Sequence, residues 1–162
     1  MKNICDEDYF EIKQTDINER MRAILVDWLI GVIFKFQMRE QTLYMTVNII
    51  DRFLCKCLLK KDNLQLLGIT ALFIAGKYEE IYPPDLKNYI KLCDSYITED
   101  DIFKLEGTIL LVLNWDLVFH SSLWFYEYYV NQLKIDETCI EAYYFGMQFL
   151  NLMLLEFSTQ KY

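Results

Sequence analysis

The sequence contains few of the residues that build metal and catalytic sites or interrupt helices. Its 162 residues include a single histidine, His120, together with two prolines and five glycines. One histidine leaves too few ligands for a typical histidine-based metal site and too few bases for most catalytic triads, so the composition argues against both. So few glycines and prolines also argue against a turn-rich β-sandwich. We therefore expect no metal, no cofactor and no catalytic residues.

Positive charge is also scarce. The chain has 16 Lys and Arg against 24 Asp and Glu, giving a net charge of -8. Sequence-independent nucleic-acid binding needs arrays of basic side chains that neutralise phosphates. The only basic cluster, Lys56, Lys60 and Lys61, is more typical of a solvated helix end. The composition therefore predicts no nucleic-acid partner.

Long apolar runs and paired cysteines are missing as well. The longest wholly apolar run, residues 28–34, is far short of the roughly 18 residues that span a bilayer. No secretory signal, polybasic anchor or glycosylation sequon is present, so we expect no membrane partner. The odd number of scattered cysteines fits neither a disulfide framework nor a zinc pattern, which predicts a reduced, intracellular chain. The cysteines are Cys5, Cys55, Cys57, Cys93 and Cys139.

Apolar residues in helical periodicity are abundant: 54% of the chain is apolar and 16% is aromatic. A capping box formed by Asp16 and Glu19 predicts a helix over residues 21–36. Only a narrow strip of this helix is polar, so we expect other helices to surround it almost completely. Arg22 falls inside the apolar arc and therefore requires an acidic partner on another helix. The strip consists of Arg20, Asp27, Gly31 and Lys35.

The same periodicity predicts further helices and no strands. They are expected over residues 41–59, 63–80, 98–113, 122–133 and 137–157, with a short one ending near residue 93 and another around residues 5–12. Thr98 with Asp101 resembles an N-cap, and the Pro83–Pro84 pair ends the 63–80 helix. All five glycines fall inside helices, which predicts close helix–helix approach at each of them. The fold class is therefore all-α.

Five stretches of sequence resemble the cyclin family. MRAILVDWL at residues 21–29, VNIIDRFL at 47–54 and AGKYEEIYPP at 75–84 resemble the cyclin box, and QTDIN at 14–18 and LQLLG at 64–68 agree in place and spacing. The sequences of these stretches are most similar to those of mitotic, A/B-type cyclins. The resemblance implies a five-helix orthogonal bundle, one complete box over residues 14–118. It also implies the first helices of a second box over residues 119–162. Residues 1–13 form a separate N-terminal segment, which contains the helix expected around residues 5–12.

The resemblance also implies a function. Cyclins have no catalytic activity of their own, bind a cyclin-dependent kinase in the nucleus and cytoplasm, and move its C-helix into the active position. Lys77 and Glu106 match the charged pair that holds the C-helix region. The full set of matching positions is Ile74, Lys77, Tyr78, Glu79, Glu106, Leu110, Trp115 and Leu117. From spacing alone, ordinary surface charges and core side chains would be the favoured interpretation.

A second set of positions resembles the exposed patch that docks Arg-x-Leu peptides of kinase substrates and inhibitors. It consists of Met21, Ile24, Leu25, Trp28 and Gln65. Ordinary core packing is the alternative interpretation. Gly31 stands where many A/B-type cyclins have an acidic residue, which predicts weaker docking or a different peptide preference. Arg22 and Asp51 match the family's internal salt bridge, which supplies the partner that Arg22 needs.

Two other classes of function remain open from the sequence. A cyclin-fold transcription adaptor would bind DNA and other proteins, although the acidic charge and the Lys77–Glu106 pair argue against it. A cyclin-fold scaffold would bind a kinase or a peptide without activating the kinase, and the incomplete second box makes this plausible. The helix over residues 137–157 would bury Phe149, Leu150, Met153 and Leu154 against helices that are missing, so it folds back on the first box or pairs with another chain.

Overall fold

Helices make up the regular secondary structure of the described chain. The computed structural model describes residues 9–93, 97–133 and 140–156. The helices are α1 (Tyr9–Ile12), α2 (Glu19–Phe36), α3 (Glu40–Lys56), α4 (Leu64–Glu79), α5 (Leu86–Ile90), α6 (Glu99–Val112), α7 (Ser122–Gln132) and α8 (Ile140–Leu155), with a 3-10 turn at Lys61–Asn63. The predicted all-α class is confirmed, and the predicted helices agree with the observed ones to within a few residues; the short helix expected to end near residue 93 is α5, which ends at Ile90.

The start of α2 differs from the prediction. Asn18 is the N-cap, and its side-chain oxygen accepts a hydrogen bond from the backbone N–H of Met21 at 3.0 Å. The predicted capping box of Asp16 and Glu19 is therefore wrong. The physical reason is that Ile17 is buried at 3% exposure and anchors the preceding chain in the core. This leaves Asn18 as the last extended residue before the helix.

The start of α6 agrees with the prediction. The Thr98 hydroxyl accepts a hydrogen bond from the Asp101 backbone N–H, and the Asp101 carboxylate accepts one from the Thr98 backbone N–H, which completes a capping box. The hydrogen bonds from Thr98 lower the pKa of Asp101 below its ordinary value. This cap fixes where α6 begins, and so fixes the register of the face that carries Glu106.

The centre of the bundle is α4. It packs against α2, α3, α5 and α6, most extensively against α3. The expectation that the helix over residues 21–36 would be almost surrounded is wrong, because Ile24 and Phe34 of α2 are 62% and 86% exposed. The amphipathic pattern of α2 could not reveal this outer apolar face, since nearly all of its surface is apolar.

Close approach explains some of the helical glycines but not all of them. A Cβ atom on Gly68 would lie 2.7 Å from Leu25 Cδ1, so this glycine lets α4 approach α2 closely. A Cβ on Gly31 or on Gly107 would meet no described atom within 4 Å. The prediction of close helix packing within the chain is therefore wrong at these two positions.

The last two helices, α7 and α8, pack on the bundle formed by α2–α6. α8 contacts α2 and α7, and α7 also contacts α3. The Tyr44 hydroxyl lies 3.1 Å from Asn151 Oδ1, which ties α3 to α8. Of the side chains predicted to face missing helices, Leu154 is buried, Leu150 and Met153 are half-buried and Phe149 is exposed. The prediction that this helix could fold back on the first box is thus confirmed.

The N-terminal segment and the cysteines complete the fold. The described part of the predicted helix over residues 5–12 is α1, whereas residues 5–8 lie outside the described residues, as do 137–139 and 157 of the last predicted helix. Tyr9 is buried and Phe10 is half-buried, as predicted.

Cys55 is disulfide-bonded, so the prediction that all cysteines are reduced is wrong. Spacing along the chain cannot show which thiols the tertiary fold brings together.

Candidate functional site

An ion pair joins the end of α4 to the middle of α6. The Lys77 ammonium contacts the Glu106 carboxylate, and their side chains are 43% and 13% exposed. The Lys77 nitrogen also lies 4.2 Å from the centroid of the Phe73 ring, one helical turn earlier on α4. Cation–π attraction therefore adds to the charge pairing and fixes the ammonium at the surface. The structure brings the two predicted charged residues together.

Side chains of graded burial surround this pair. Tyr78 and Trp115 are 54% and 67% exposed, and Ile74 is buried at 3%. The other predicted positions, Glu79, Leu110 and Leu117, are half-buried. Ile74 therefore supports the site from the core, while Tyr78 and Trp115 offer apolar surface to a partner. An exposed aromatic surface around a few charged groups is a common arrangement of binding hot spots.

The backbone holds Trp115 in an uncommon conformation. Asn114 and Trp115 have φ values of 54° and 58°, in the left-handed region. This conformation costs a residue with a side chain roughly 1–2 kcal/mol. The Trp115 N–H donates to the Leu110 carbonyl at 2.9 Å, which closes the end of α6 and turns the chain here. Such a constraint on an exposed tryptophan is typical of a binding site.

Sequence reasoning missed several residues that shape this surface. Phe73 lies directly against Lys77, and their i, i+4 spacing on a helix could have indicated the contact. The Glu80 carboxylate accepts hydrogen bonds from the Arg39 backbone N–H at 2.8 Å and from the Thr42 hydroxyl at 2.5 Å. Glu80 therefore links the end of α4 to the start of α3, a contact that no local pattern predicts.

A pocket of about 310 Å³ lies between the first turns of α2 and α4. Its lining includes all five predicted docking residues, Met21, Ile24, Leu25, Trp28 and Gln65, together with Lys61, Asp62 and Leu64. Leu25 is buried at 6%, so it contributes to the floor of the pocket, and its predicted exposure is wrong. The physical reason is the close approach of Gly68, which covers this side chain.

A second ion pair lies in the core. Arg22 is fully buried and binds Asp51 through two hydrogen bonds, Nε–Oδ1 at 2.7 Å and Nη2–Oδ2 at 2.8 Å. Its Nη1 donates to the Leu154 carbonyl of α8 at 2.8 Å, and the Tyr9 hydroxyl donates to Asp51 at 2.8 Å. Burial alone would lower the pKa of Arg22, but Asp51 raises it above its ordinary value. The predicted salt bridge is present and connects four helices.

Neither a membrane segment nor a metal site is found in the described chain. No described helix is both long and apolar enough to cross a bilayer. Among the described residues, no group of three or more His, Cys, Asp and Glu side chains is arranged to hold a metal ion.

The comparisons with known proteins agree with this geometry. Residues 1–118 match the family model of the cyclin N-terminal domain. G2/mitotic-specific cyclin S13-7 of Glycine max is 51% identical over 110 residues, which are 68% of this chain and 42% of that protein. G2/mitotic-specific cyclin-A of Spisula solidissima is 40% identical over 137 residues, 85% of this chain and 32% of that protein.

A solved structure extends the match to the fold. The X-ray structure of a viral cyclin from herpesvirus saimiri has a TM-score of 0.72 and 28% identity, and the match covers 81% of this chain and 57% of that one. The chain spans less than half the length of the two curated relatives. The resemblance to mitotic A/B-type cyclins is confirmed, and the chain belongs to the cyclin family through its N-terminal domain.

Proposed function

We propose that the chain is a regulatory subunit, without catalytic activity of its own, that binds and activates a cyclin-dependent kinase in G2/M-type cell-cycle control, in the nucleus and cytoplasm. The observation that supports this best is the Lys77–Glu106 pair beside exposed Tyr78 and Trp115. The pair offers both a cationic donor and an anionic acceptor. The aromatic side chains around it would exclude water from those hydrogen bonds when a partner binds.

The mechanism follows from differential binding. In a protein kinase, the ion pair between the Lys beneath ATP and the Glu of the C-helix must form before phosphoryl transfer is fast. A partner that contacts the C-helix only in its inward position stabilises that conformer and shifts the population toward it. Lys77 has three N–H donors, of which Glu106 uses one. The remaining donors and the Glu106 carboxylate are suited to backbone groups of the kinase helix.

The test removes the pair and measures kinase activation. We expect Lys77→Ala with Glu106→Ala to abolish activation of the kinase toward histone H1, because truncating a hydrogen-bonded charge in an interface costs roughly 2–5 kcal/mol. The helical CD spectrum should be unchanged. The matched control is Lys91→Ala with Asp85→Ala, which likewise removes one charge of each sign, at two exposed positions. Undiminished activation by the first variant would refute the assignment.

We also propose that the pocket at Trp28 recruits kinase substrates or inhibitors that carry an Arg-x-Leu sequence. Its apolar lining can hold the leucine, and its polar lining, Lys61, Asp62 and Gln65, offers hydrogen-bonding groups to the peptide. All five residues that resemble the docking patch line this one pocket, which is the support for the proposal.

Fluorescence anisotropy with a labelled Arg-x-Leu peptide tests this second proposal. Trp28→Ala should weaken binding by roughly 30-fold, as expected for a central aromatic anchor. Trp124→Ala is the control, because Trp124 is an exposed tryptophan on α7, outside the pocket. Equal peptide binding by wild type and Trp28→Ala would contradict docking at this pocket.

A further inference from the structure

The chain between α4 and α5 projects from the protein surface at its centre. Residues 80–85 connect the two helices and belong to neither of them. Ile81 is 84% exposed and Tyr82 is 92% exposed. Because both of these large side chains lie in solvent, the middle of the connection makes little contact with the core. We refer to residues 80–85 as the α4–α5 segment.

Both ends of the α4–α5 segment are held in place. At its start, the Glu80 backbone N–H donates to the Gly76 carbonyl at 3.0 Å, which closes the last turn of α4. The Glu80 carboxylate also accepts the two hydrogen bonds from α3 described above. At its end, the Asp85 carbonyl accepts a hydrogen bond from the Asn88 N–H at 2.8 Å. Tyr82 therefore lies at the tip of a loop whose two ends are fixed.

The backbone at this tip is available to another protein. The backbone groups of Ile81 and Tyr82 make no hydrogen bond with any described residue. Pro83 follows, and a residue that precedes a proline is restricted to extended conformations. An extended segment with free N–H and C=O groups can pair with a strand at the edge of a binding cleft. An enzyme that modifies protein side chains could therefore bind the α4–α5 segment without unfolding it.

Tyr82 differs in this respect from the other exposed tyrosines. It is the one tyrosine outside a helix in the part of the chain that the structure describes. The exposed helical tyrosines are 47% to 61% exposed, namely Tyr78, Tyr128, Tyr129 and Tyr144. Their backbone groups belong to the hydrogen-bond ladders of their helices. An enzyme would have to unwind a helical turn before it could bind any of them in an extended form.

We infer that the Tyr82 hydroxyl is a phosphorylation site. A tyrosine kinase, with ATP as the second substrate, would transfer the γ-phosphoryl group to the Tyr82 hydroxyl oxygen. A new P–O bond forms at that oxygen, which loses its proton, and ADP leaves with the electrons of the broken P–O bond. The product carries an added charge of about −1.5 to −2 and three strong acceptor oxygens.

The surroundings of Tyr82 favour a phosphate that faces outward. The carbonyl end of α4, which carries the negative end of the helix dipole, lies three residues before it. The charged side chains at this end of α4 and in the α4–α5 segment are Lys77, Glu79, Glu80 and Asp85, and Arg39 of α3 reaches the same place. Lys77 is already engaged with Glu106. Arg39 already donates to the Glu79 carbonyl at 3.4 Å. Carboxylates therefore outnumber cations here, and both cations have partners.

Phosphorylation of Tyr82 would weaken kinase binding, a consequence that rests on the proposed function. The Cα atoms of Tyr82 and Glu79 are at most about 11 Å apart, because three Cα–Cα steps of about 3.8 Å separate them. Exposed Tyr78, at the same end of α4, belongs to the surface proposed to bind the kinase. A phosphate at the edge of an apolar interface disrupts it, because the phosphate must lose hydration when a partner covers it.

The first experiment maps the phosphorylated positions. The full chain is incubated with ATP and each of a panel of purified tyrosine kinases, and mass spectrometry follows phosphorylation at each tyrosine. Tyr82 should be phosphorylated at least roughly tenfold faster than any described helical tyrosine, because those require local unwinding. Preferential phosphorylation of Tyr128, Tyr129 or Tyr144 would overturn the inference. So would a failure of every kinase in the panel to phosphorylate Tyr82.

The second experiment measures affinity for a cyclin-dependent kinase subunit by biolayer interferometry before and after this treatment. The affinity of the wild type should fall roughly tenfold or more once Tyr82 is phosphorylated. Tyr82→Phe should keep its own affinity through the same treatment. Tyr144→Phe is the matched control at an exposed helical tyrosine, and it should lose affinity as the wild type does.

The outcomes separate the inference from the proposed function. If the wild type phosphorylated at Tyr82 binds the cyclin-dependent kinase as tightly as before, regulation through Tyr82 is overturned and the proposed function stands. If Tyr82→Phe loses as much affinity as the wild type, another position causes the effect and regulation through Tyr82 also fails. If the untreated wild type binds none of a panel of cyclin-dependent kinases, the proposed function is overturned, and the mapping alone decides the phosphorylation site.

Discussion

The two ion pairs of this chain differ in burial and in the number of partners, and the difference separates structure from function. Arg22 and Asp51 are almost wholly buried, and between them they bind two further groups, the Leu154 carbonyl and the Tyr9 hydroxyl. The Lys77 side chain is 43% exposed, and among the described residues its polar contact is with Glu106. A buried charge must be satisfied within the fold, whereas an exposed one retains hydrogen-bonding capacity for a partner.

Neutralising the buried pair on one side should have the largest effect on stability. We expect Arg22→Ala to lower the free energy of unfolding by about 3–5 kcal/mol, because it leaves the Asp51 carboxylate buried without its cation. It also leaves the Leu154 carbonyl without its donor. Urea denaturation followed by CD measures the loss.

Arg20→Ala is the matched control for this prediction. Arg20 is exposed on the first turn of the same helix, so its replacement should change stability by no more than about 0.5 kcal/mol. If Arg22→Ala costs no more than Arg20→Ala, the buried pair does not hold the helices together, and the contrast between the two pairs fails.

Because the Tyr9 hydroxyl is buried beside the Arg22–Asp51 pair, we expect the free energy of unfolding to fall at alkaline pH. Burial, followed by the Asp51 charge, raises the pKa of Tyr9 above its ordinary value. Below the pKa of the unfolded chain, about 10, the contribution is fully present. Above it, the unfolded state loses the Tyr9 proton while the folded state keeps it, so stability falls as pH rises.

Tyr9→Phe isolates this contribution. At neutral pH the variant should be less stable by about 1–2 kcal/mol, because the hydrogen bond to Asp51 is lost. At about pH 11 the difference should shrink by roughly 1 kcal/mol, because phenylalanine has no proton to lose. Tyr44 and Tyr89 also have raised pKa values, so both proteins still lose stability on the alkaline side. A difference that stays constant between the two pH values would contradict the assigned role of Tyr9.

The sequence predicted the partner of Arg22 but not all of its hydrogen bonds. The demand of Arg22 for an acidic partner followed from its place in an apolar arc, and the resemblance supplied Asp51. Its third hydrogen bond, to the Leu154 carbonyl 132 residues away, depends on how α8 packs against α2, and no local pattern encodes that contact. The same holds for the cap of α2, where Asp16 and Asn18 are both good capping residues and the burial of Ile17 decides between them.

The candidate site was predictable mainly where the resemblance supplied residues. Spacing placed Lys77 and Tyr78 at the end of one helix, but their exposure depends on tertiary packing. Gly31 and Gly107 illustrate the limit, because a helical glycine predicts close packing and these two face open space among the described atoms. A sequence does not distinguish a glycine that packs within its own chain from one on the surface.

Removing the pair of Lys77 and Glu106 should have the smallest effect on stability, which completes the comparison. We expect Lys77→Ala with Glu106→Ala to change the free energy of unfolding by less than about 1 kcal/mol, because the 43% exposure of Lys77 weakens the pairing and the double variant leaves neither charge without its partner. The remaining cost comes from the contact of Lys77 with the Phe73 ring, which Lys77→Ala alone also removes. Thermal unfolding of the single and double variants measures these terms. A loss of about 3 kcal/mol or more would instead be typical of a buried structural pair. In that case, a loss of kinase activation by the double variant could no longer be attributed to the interface.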